Sequence, residues 1–454
     1  MSDTTDQVQE KEQSAIDSLH EALDQDDQDL ARTVIDSLHP SEIADVIESL
    51  PSKERYEVWQ LVDSEMEGDV LSHTQDVVRS DLLEQMQPHE VVNATKDLDA
   101  DDVADILQDL PEPVAETILL AMDEQNRQRL ASVLTYAEDT AGGLMNLDVI
   151  TVRADVSLDV VLRYIRRMNQ IPDDTDIIMV VDRDNHYLGV LHLTDLLVRD
   201  METTVGEWME ETPYLSASTP KTEVAKLFEQ RDLVSAAVVD DEGRLLGRIT
   251  IDDVVDVIKA AAEDAVSKMA GLSSEDDMFA PVIASAKRRA IWLGINLMTV
   301  FLGSWVIDRF ENTIEQLVAL AVLLPVVAGM GGIAGSQTLT IAIRGIAQGQ
   351  ISKSNIKPLL IKEFSVGVLN GLIWSCVVGL VVYLWFDNTS LGLIIGFAMI
   401  INLIIAALAG AMIPFALNRF GIDPAIAGGV ILTTVTDVVG FVTFLGLAAL
   451  FLLT

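Results

Sequence analysis

The sequence predicts a multidomain membrane protein: an α-helical, superhelical N-terminal domain, a pair of α/β modules, a connecting helix and a five-helix transmembrane domain. Three observations carry this. Charge is split sharply: residues 1–285 hold 64 of the 71 acidic and 21 of the 30 basic side chains, while residues 286–454 are close to neutral. Five long apolar segments fall in the second part, and two unlike internal repeats fall in the first. A chain of 454 residues has room for several domains, and halves so different in charge are built for different solvents. The divisions expected are 1–137 (helical), 138–200 and 201–252 (the two α/β modules), 253–285 (connecting helix and linker) and 286–454 (membrane).

The N-terminal domain announces itself by a repeat. Glu42-Ile43-Ala44-Asp45-Val46-Ile47-Glu48-Ser49-Leu50-Pro51 recurs sixty residues later as Asp102-Val103-Ala104-Asp105-Ile106-Leu107-Gln108-Asp109-Leu110-Pro111. In both copies the apolar positions share one helix face and proline follows the end. Repeated amphipathic helices of this kind stack into a small solenoid. Asp101 and Asp105, four apart, project from one face; by itself such a pair is usually solvated. The opening residues 1–13 are polar and acidic, without a basic stretch leading into an apolar run, so no signal peptide is expected. The acidity disfavours nucleic acid or an anionic lipid surface as a partner and suits cations; a salt-adapted surface would have the same composition. The one cysteine, Cys376, lies in an apolar segment, which leaves no role for disulfides and fits a reducing compartment.

From about residue 145 strands alternate with helices, again twice. Residues 176–182 lead through a polar turn to a strand at 188–191 and a helix at 193–199; residues 235–240 lead likewise to 246–250 and a helix from 252. This pattern is similar to a pair of cystathionine-β-synthase (CBS) modules. The resemblance implies a regulatory dimer, and an adenosine ribose, as in ATP, held at Thr250 and Asp253 after Gly247. The first module has His192 in place of the threonine, though Asp195 is kept. The six histidines are scattered without metal-ligand spacing. A connecting helix over 252–269 carries Asp252, Asp253, Asp256, Glu263 and Asp264, and residues 271–274 break it before the membrane.

A span needs about 20 apolar residues, and the segments 290–307, 314–343, 364–386, 391–417 and 425–453 qualify. Lys287, Arg288 and Arg289 precede the first; Arg344, Lys353, Lys357 and Lys362 lie between the second and third; Arg419 lies between the fourth and fifth. The positive-inside rule then places the N-terminal half in the cytoplasm and the C-terminus outside. The second span contains Pro325, Gly329, Gly331, Gly332 and Gly335, with Ser336 and Gln337 behind them. Such residues are tolerated at membrane depth beside a water-filled cavity, and they also let helices pack closely. The fifth span sets Asp437 among Thr433, Thr434 and Thr436. A carboxylate there costs at least about 2.5–3.5 kcal/mol, so it faces a partner or a pore. The spans offer no basic partner, and Glu363, the other acid near a span, lies at the cytoplasmic edge of the third. An acid without a basic partner points to a cation, either a metal ion or a proton.

Taken in order, these parts resemble the MgtE family of magnesium channels and transporters. The most specific marks are Ala141-Gly142-Gly143-Leu144-Met145, the run from Pro325 to Gln337, and Asp423-Pro424-Ala425 followed by Thr433 to Asp437. The resemblance implies a homodimer in the bacterial cytoplasmic (inner) membrane, with a pore on its two-fold axis lined by the second and fifth spans. Asp437, with Thr433 and Thr436 about it, would hold the permeating Mg2+. Regulatory Mg2+ sites are implied at Asp101, Asp105, Gly142, Asp232, Asp253, Asp256 and Asp264. The implied activity is Mg2+ import down its electrochemical gradient, closed by feedback when cytoplasmic Mg2+ binds the acidic domains. The chain departs from the family pattern at Ile333 and Gly429, where relatives often have asparagine, and at Ala261, where they have an acid. Rival readings are a carrier of Co2+ or Mn2+, and a membrane-tethered sensor that moves nothing; Asp437 speaks against the second. With no nucleophile–base pair, phosphate loop or metal-hydrolase motif, the sequence does not read as an enzyme.

Overall fold

The computed structural model describes residues 16–452 except 20, 24, 26, 97, 169–170, 173, 273–276 and 352–353. Lys353, Ser273 and Ser274, used above for topology and for the helix break, therefore lie outside the described residues, as does the end of the fifth predicted span at 453. The chain forms two compact units: one comprises Met1–Ala262 with Glu275–Pro281, the other Glu263–Ser274 with Val282–Thr454.

In the first unit, short helices run from Gln28–Ile35 to Glu124–Val133. The sequence repeat is a structural one. Pro40–Glu48 starts on a capping box, the Glu42 carboxylate accepting the His39 N–H at 2.8 Å, and buries Ile43, Ala44, Val46 and Ile47. Ala100–Gln108 buries the matching Val103, Ala104, Ile106 and Leu107. One inward position differs: where the first copy has the half-buried Ser41, the second buries Asp101.

The two α/β modules are near copies. Strands β1 (Thr151–Arg153), β2 (Ile177–Val181) and β3 (Tyr187–His192) form one sheet, and β4 (Leu215–Ser216), β5 (Ser235–Val239) and β6 (Leu245–Thr250) form the other. In each, the first strand is parallel and the third antiparallel to the central one, and a register shift falls at the same place, Val180/Val181 and Val238/Val239. Helices Leu158–Arg167 and Lys221–Arg231 supply the crossovers that parallel pairing needs. Helix Ile251–Met269 follows β6 directly.

Five helices of the second unit are long and apolar enough to cross a membrane: Val282–Asp308, Ala319–Ala347, Ile356–Phe386, Thr389–Arg419 and Pro424–Phe451. The first starts earlier than the apolar run, so Lys287, Arg288 and Arg289 sit within its first turns rather than ahead of it. The second starts later, at Ala319, because Glu311–Gln316 is a separate short helix and Leu317 leaves helical geometry (φ −141°, ψ 87°). The predicted span runs back to residue 314 across the polar end of this short helix, Glu315 and Gln316, because Ile314 and the apolar run from Leu317 read as one segment. The fourth span is the hub, packed on the second, third and fifth, and 61% of its most apolar stretch is buried. Glycine permits this: a Cβ on Gly410 would sit 2.6 Å from the Gly335 carbonyl oxygen.

A buried ion pair ties the helical domain to the linker. Arg55 and Asp277, 222 positions apart, make two 2.8 Å bonds, and Arg55 also donates to the Ile47 and Glu48 carbonyls. The side chains are 1% and 4% exposed. Removing one partner strands the other charge, at a cost of about 3–5 kcal/mol. Arg55→Ala should therefore accelerate hydrogen exchange across residues 40–60 by the equivalent of that loss, and Arg55→Met with Asp277→Leu should restore most of the protection. Unchanged exchange in Arg55→Ala would contradict this assignment.

Candidate ion groove and acidic cluster

A groove of about 950 Å3 runs along the second span and meets the fifth. Gly329, Gly332, Ile333, Ser336, Gln337 and Thr340 recur at helical spacing on one face of the second span, and Thr433 and Asp437, one turn apart, face them from the fifth. The opposite face of the second span is packed: Gly331 meets Asn402 and Gly335 meets Leu432. The glycine-rich segment thus has two different faces. Gly329 and Gly332 open onto the groove, where a β-carbon would meet no described atom within 4 Å, whereas Gly331 and Gly335 allow close helix contact.

None of the ten groove-lining residues is basic, so Asp437 has no cationic partner there. Glu363 is the contrast. It is 2% exposed, accepts a hydrogen bond from Thr338 Oγ1 at 3.1 Å and pairs with Lys362 Nζ at 2.6 Å. The hydroxyls near Asp437 are bound to their own helix: Thr433 Oγ1 donates to Gly429 O at 2.9 Å and Thr436 Oγ1 to Thr433 O at 3.1 Å. Thr433 lines the groove. Thr436 does not; it is fully buried on the Gly428, Leu432 and Gly440 stripe. The departure residues differ likewise. Ile333 lines the groove and is 62% exposed, while Gly429 is not in its lining.

In the first unit, helix Ala100–Gln108 and the start of helix Ile251–Met269 bring acids together. Asp101 is 8% exposed, and its Oδ1 is buried without a hydrogen-bond partner among the described residues. Burial pushes its pKa well up, with Asp253, Asp102 and Asp99 adding repulsion. Asp253 is pushed up to about 7, mainly by burial and then by Asp252, although Thr250 N–H and Oγ1 donate to its Oδ2 at 3.4 and 3.1 Å. Asp102 rises to about 6 and Asp105 to about 7, in both cases chiefly through burial and in spite of Arg79. Arg79 is engaged elsewhere, its Nε 2.6 Å from Asp109 and its Nη2 2.9 Å from Asp76. Burial also raises Asp256, opposed by Lys259 and His73. Desolvated carboxylates outnumber the bases beside them, and the donors are all hard oxygens.

The remaining predicted residues sit elsewhere. The Gly142 N–H donates to the Ala217 carbonyl at 2.9 Å, and a Cβ there would strike the Tyr136 ring. Asp232 is exposed and caps helix Lys221–Arg231 in the left-handed region (φ 51°). Asp264 is 2.5 Å from Lys268, whose ammonium also reaches Asp423 at 3.3 Å. Asp423 in turn caps the fifth span by accepting the Ala425 N–H at 2.8 Å. Sequence reasoning missed Lys268, Arg79 and Asn402; the last was visible as a lone amide inside an apolar span. Asp182, Asp184 and His186 also cluster, but Asp182 takes both backbone N–H groups of the β2–β3 turn and serves to shape it.

Family models cover much of the chain. The MgtE intracellular N domain matches residues 38–139, CBS domains match 141–202 and 205–260, and MgtE, described as a divalent cation transporter, matches 324–447. The sequence is 33% identical over 441 residues to the magnesium transporter MgtE of Thermus thermophilus, covering 96% of this chain and 98% of that one. It is 28% identical over 427 residues to the magnesium transporter MgtE of Bacillus subtilis, covering 93% and 94%. A crystal structure of the cytosolic domain of the Mg2+ channel MgtE in complex with ATP is 34% identical, with a TM-score of 0.49, and covers 53% of this chain and 99% of that one.

The raised carboxylates make stability depend on pH. These carboxylates bind more protons in the folded unit than in the unfolded chain, so their contribution to stability is full below about pH 4. It should fall as pH rises through about 7, where Asp105 and Asp253 ionise. Thermal unfolding in metal-free buffer should show this decline, and millimolar Mg2+ should abolish it. A flat metal-free profile would contradict the cluster's uncompensated charge.

Proposed function

The chain belongs to the MgtE family, whose members are transporters rather than enzymes, and we propose that it carries Mg2+ through the groove holding Asp437. The observation that carries this reading is the carboxylate facing an open groove with no base in its lining. Mg2+ dehydrates reluctantly and keeps several waters, so one or two carboxylates in a roomy site suit it. The groove is open on one side, and a second copy of the chain across a two-fold axis would close it. Two Asp437 side chains, with Thr433 beside each, would then hold a hydrated ion; Thr436, packed behind, supports the helix from the far side. The membrane potential, worth about 2.3 kcal/mol per charge per 100 mV, acts twice on a divalent ion and drives it inward.

The N-terminal half is the cytoplasmic brake in this reading, in a bacterial inner membrane with the C-terminus outside. The orphaned Oδ1 of Asp101 fits a bound cation, and Asp101, Asp102 and Asp253 would hold a regulatory Mg2+ whose charge offsets theirs. Asp105 and Asp256 extend the same acidic face. Gly142, Asp232 and Asp264 stay in the proposal through the family resemblance alone, as does an adenine nucleotide such as ATP at Thr250 and Asp253. Bound Mg2+ favours the compact arrangement only by binding it more tightly than the open one. Oxygen-only donors argue against softer metals. Mn2+, which takes the same hard oxygen donors as Mg2+, is the second reading.

Proteoliposomes containing the wild type should take up Mg2+, and Asp437→Ala should abolish uptake; equal uptake by both would place the pore elsewhere. Solution scattering of the purified protein should show a smaller radius of gyration with Mg2+ than with chelator. An identical radius would remove the feedback mechanism while leaving transport intact.

A further inference from the structure

We propose that Asn402, on the fourth span, is a positioning residue for permeation: its amide sets the spacing of the two groove helices and so the discrimination between ions. This rests on the reading of the groove as the ion path. Asn402 is fully buried and lines no part of the groove. Its Nδ2 donates to the Val327 carbonyl of the second span at 2.9 Å. A Cβ on Gly331 would lie 2.4 Å from that nitrogen, and a Cβ on Gly440 of the fifth span 3.0 Å from it. One amide is therefore wedged against both groove helices from behind, and both have glycine where they meet it.

The contacts fall at the depth of the groove. Val327 precedes the lining residue Ala328, Gly331 precedes the lining residue Gly332, and Gly440 lies three positions beyond Asp437. Any change in the volume of this amide moves the walls on which Gly332 and Asp437 stand. Packing alone does not account for an amide here. Its Oδ1 is buried without a hydrogen-bond partner among the described residues, a cost that a leucine of similar size would not carry. Interhelical hydrogen bonds in membranes are individually weak. A residue retained for stability alone would gain little from this one, whereas a polar key holds two helices at one spacing.

The test is the ratio of Mg2+ to Ca2+ uptake in proteoliposomes, which does not depend on how much protein is active. Asn402→Leu removes the amide, and Gly331→Ala presses on it from the groove helix. Each should lower the ratio by about threefold or more. Asn402→Ser, smaller and still a donor, should do the same, and it keeps the test available if the leucine variant does not fold. A ratio equal to that of wild type in all variants, with total uptake merely scaled down, would overturn the inference. If the wild type carries no divalent ion, the transport reading fails and this inference with it. If the wild type conducts, Asp437→Ala does not, and the ratio is fixed across the Asn402 and Gly331 variants, only this inference fails.

Discussion

Negative charge held without enough positive charge beside it is the constraint on which the rest of this structure turns. Where the chain keeps a buried acid permanently neutralised, it supplies the base. Asp277 receives two bonds from Arg55, and Glu363 receives Lys362 and a threonine hydroxyl. Asp437 has no such partner in the lining of its groove. Asp101 has a bare buried oxygen and acids for neighbours. Desolvation makes each of these sites costly in the absence of a counter-charge. In the proposed function a diffusible cation, bound and released, would offset both sites in a way that a fixed lysine cannot.

The scaffold leaves Asp437 on an open groove and Asp101 buried among other acids. In the second unit the fourth span is buried among its neighbours and holds the second and fifth in place through glycine contacts and the Asn402 amide. This leaves one face of the second span free to line the groove. Asp423 caps the fifth span and is itself reached by Lys268 at the end of the connecting helix. Lys268 holds Asp264 at the same time. One ammonium thus joins the end of the connecting helix to the cap of the fifth span. In the first unit, the inward position that is Ser41 in one repeat and Asp101 in the other turns a packing motif into a charged one.

Much of this was legible in the sequence. The apolar runs, the two repeats and the mid-membrane acid define the architecture, because each reflects a strong physical requirement: bilayer thickness, helix periodicity and the cost of a buried charge. Strands β1 and β4 were not legible, since three and two residues carry no periodicity. The end of the separate helix Glu311–Gln316 fell inside the predicted second span because Ile314 joins the apolar run that follows, and the break at Leu317 is a backbone turn with no residue signature. Thr436 shares its local sequence with Thr433 but lies on the neighbouring stripe of the helix, and only packing against the second and fourth spans decides which hydroxyl meets the groove. Asp253 was expected both to hold a nucleotide and to bind metal; its place opposite Asp101 depends on two segments about 150 positions apart meeting in space. The Arg55–Asp277 pair is the extreme case, since nothing in either local sequence points to the other.

The most direct test of uncompensated charge is proton release on Mg2+ binding, measured by titration calorimetry of the full chain in buffers of different ionisation enthalpy. At about pH 6.5 the acids raised to about 7 are partly protonated, so binding should expel protons. The release should vanish at about pH 9, where they are already ionised. Binding without proton release at both pH values would mean that these carboxylates carry their charge freely, and would contradict the account.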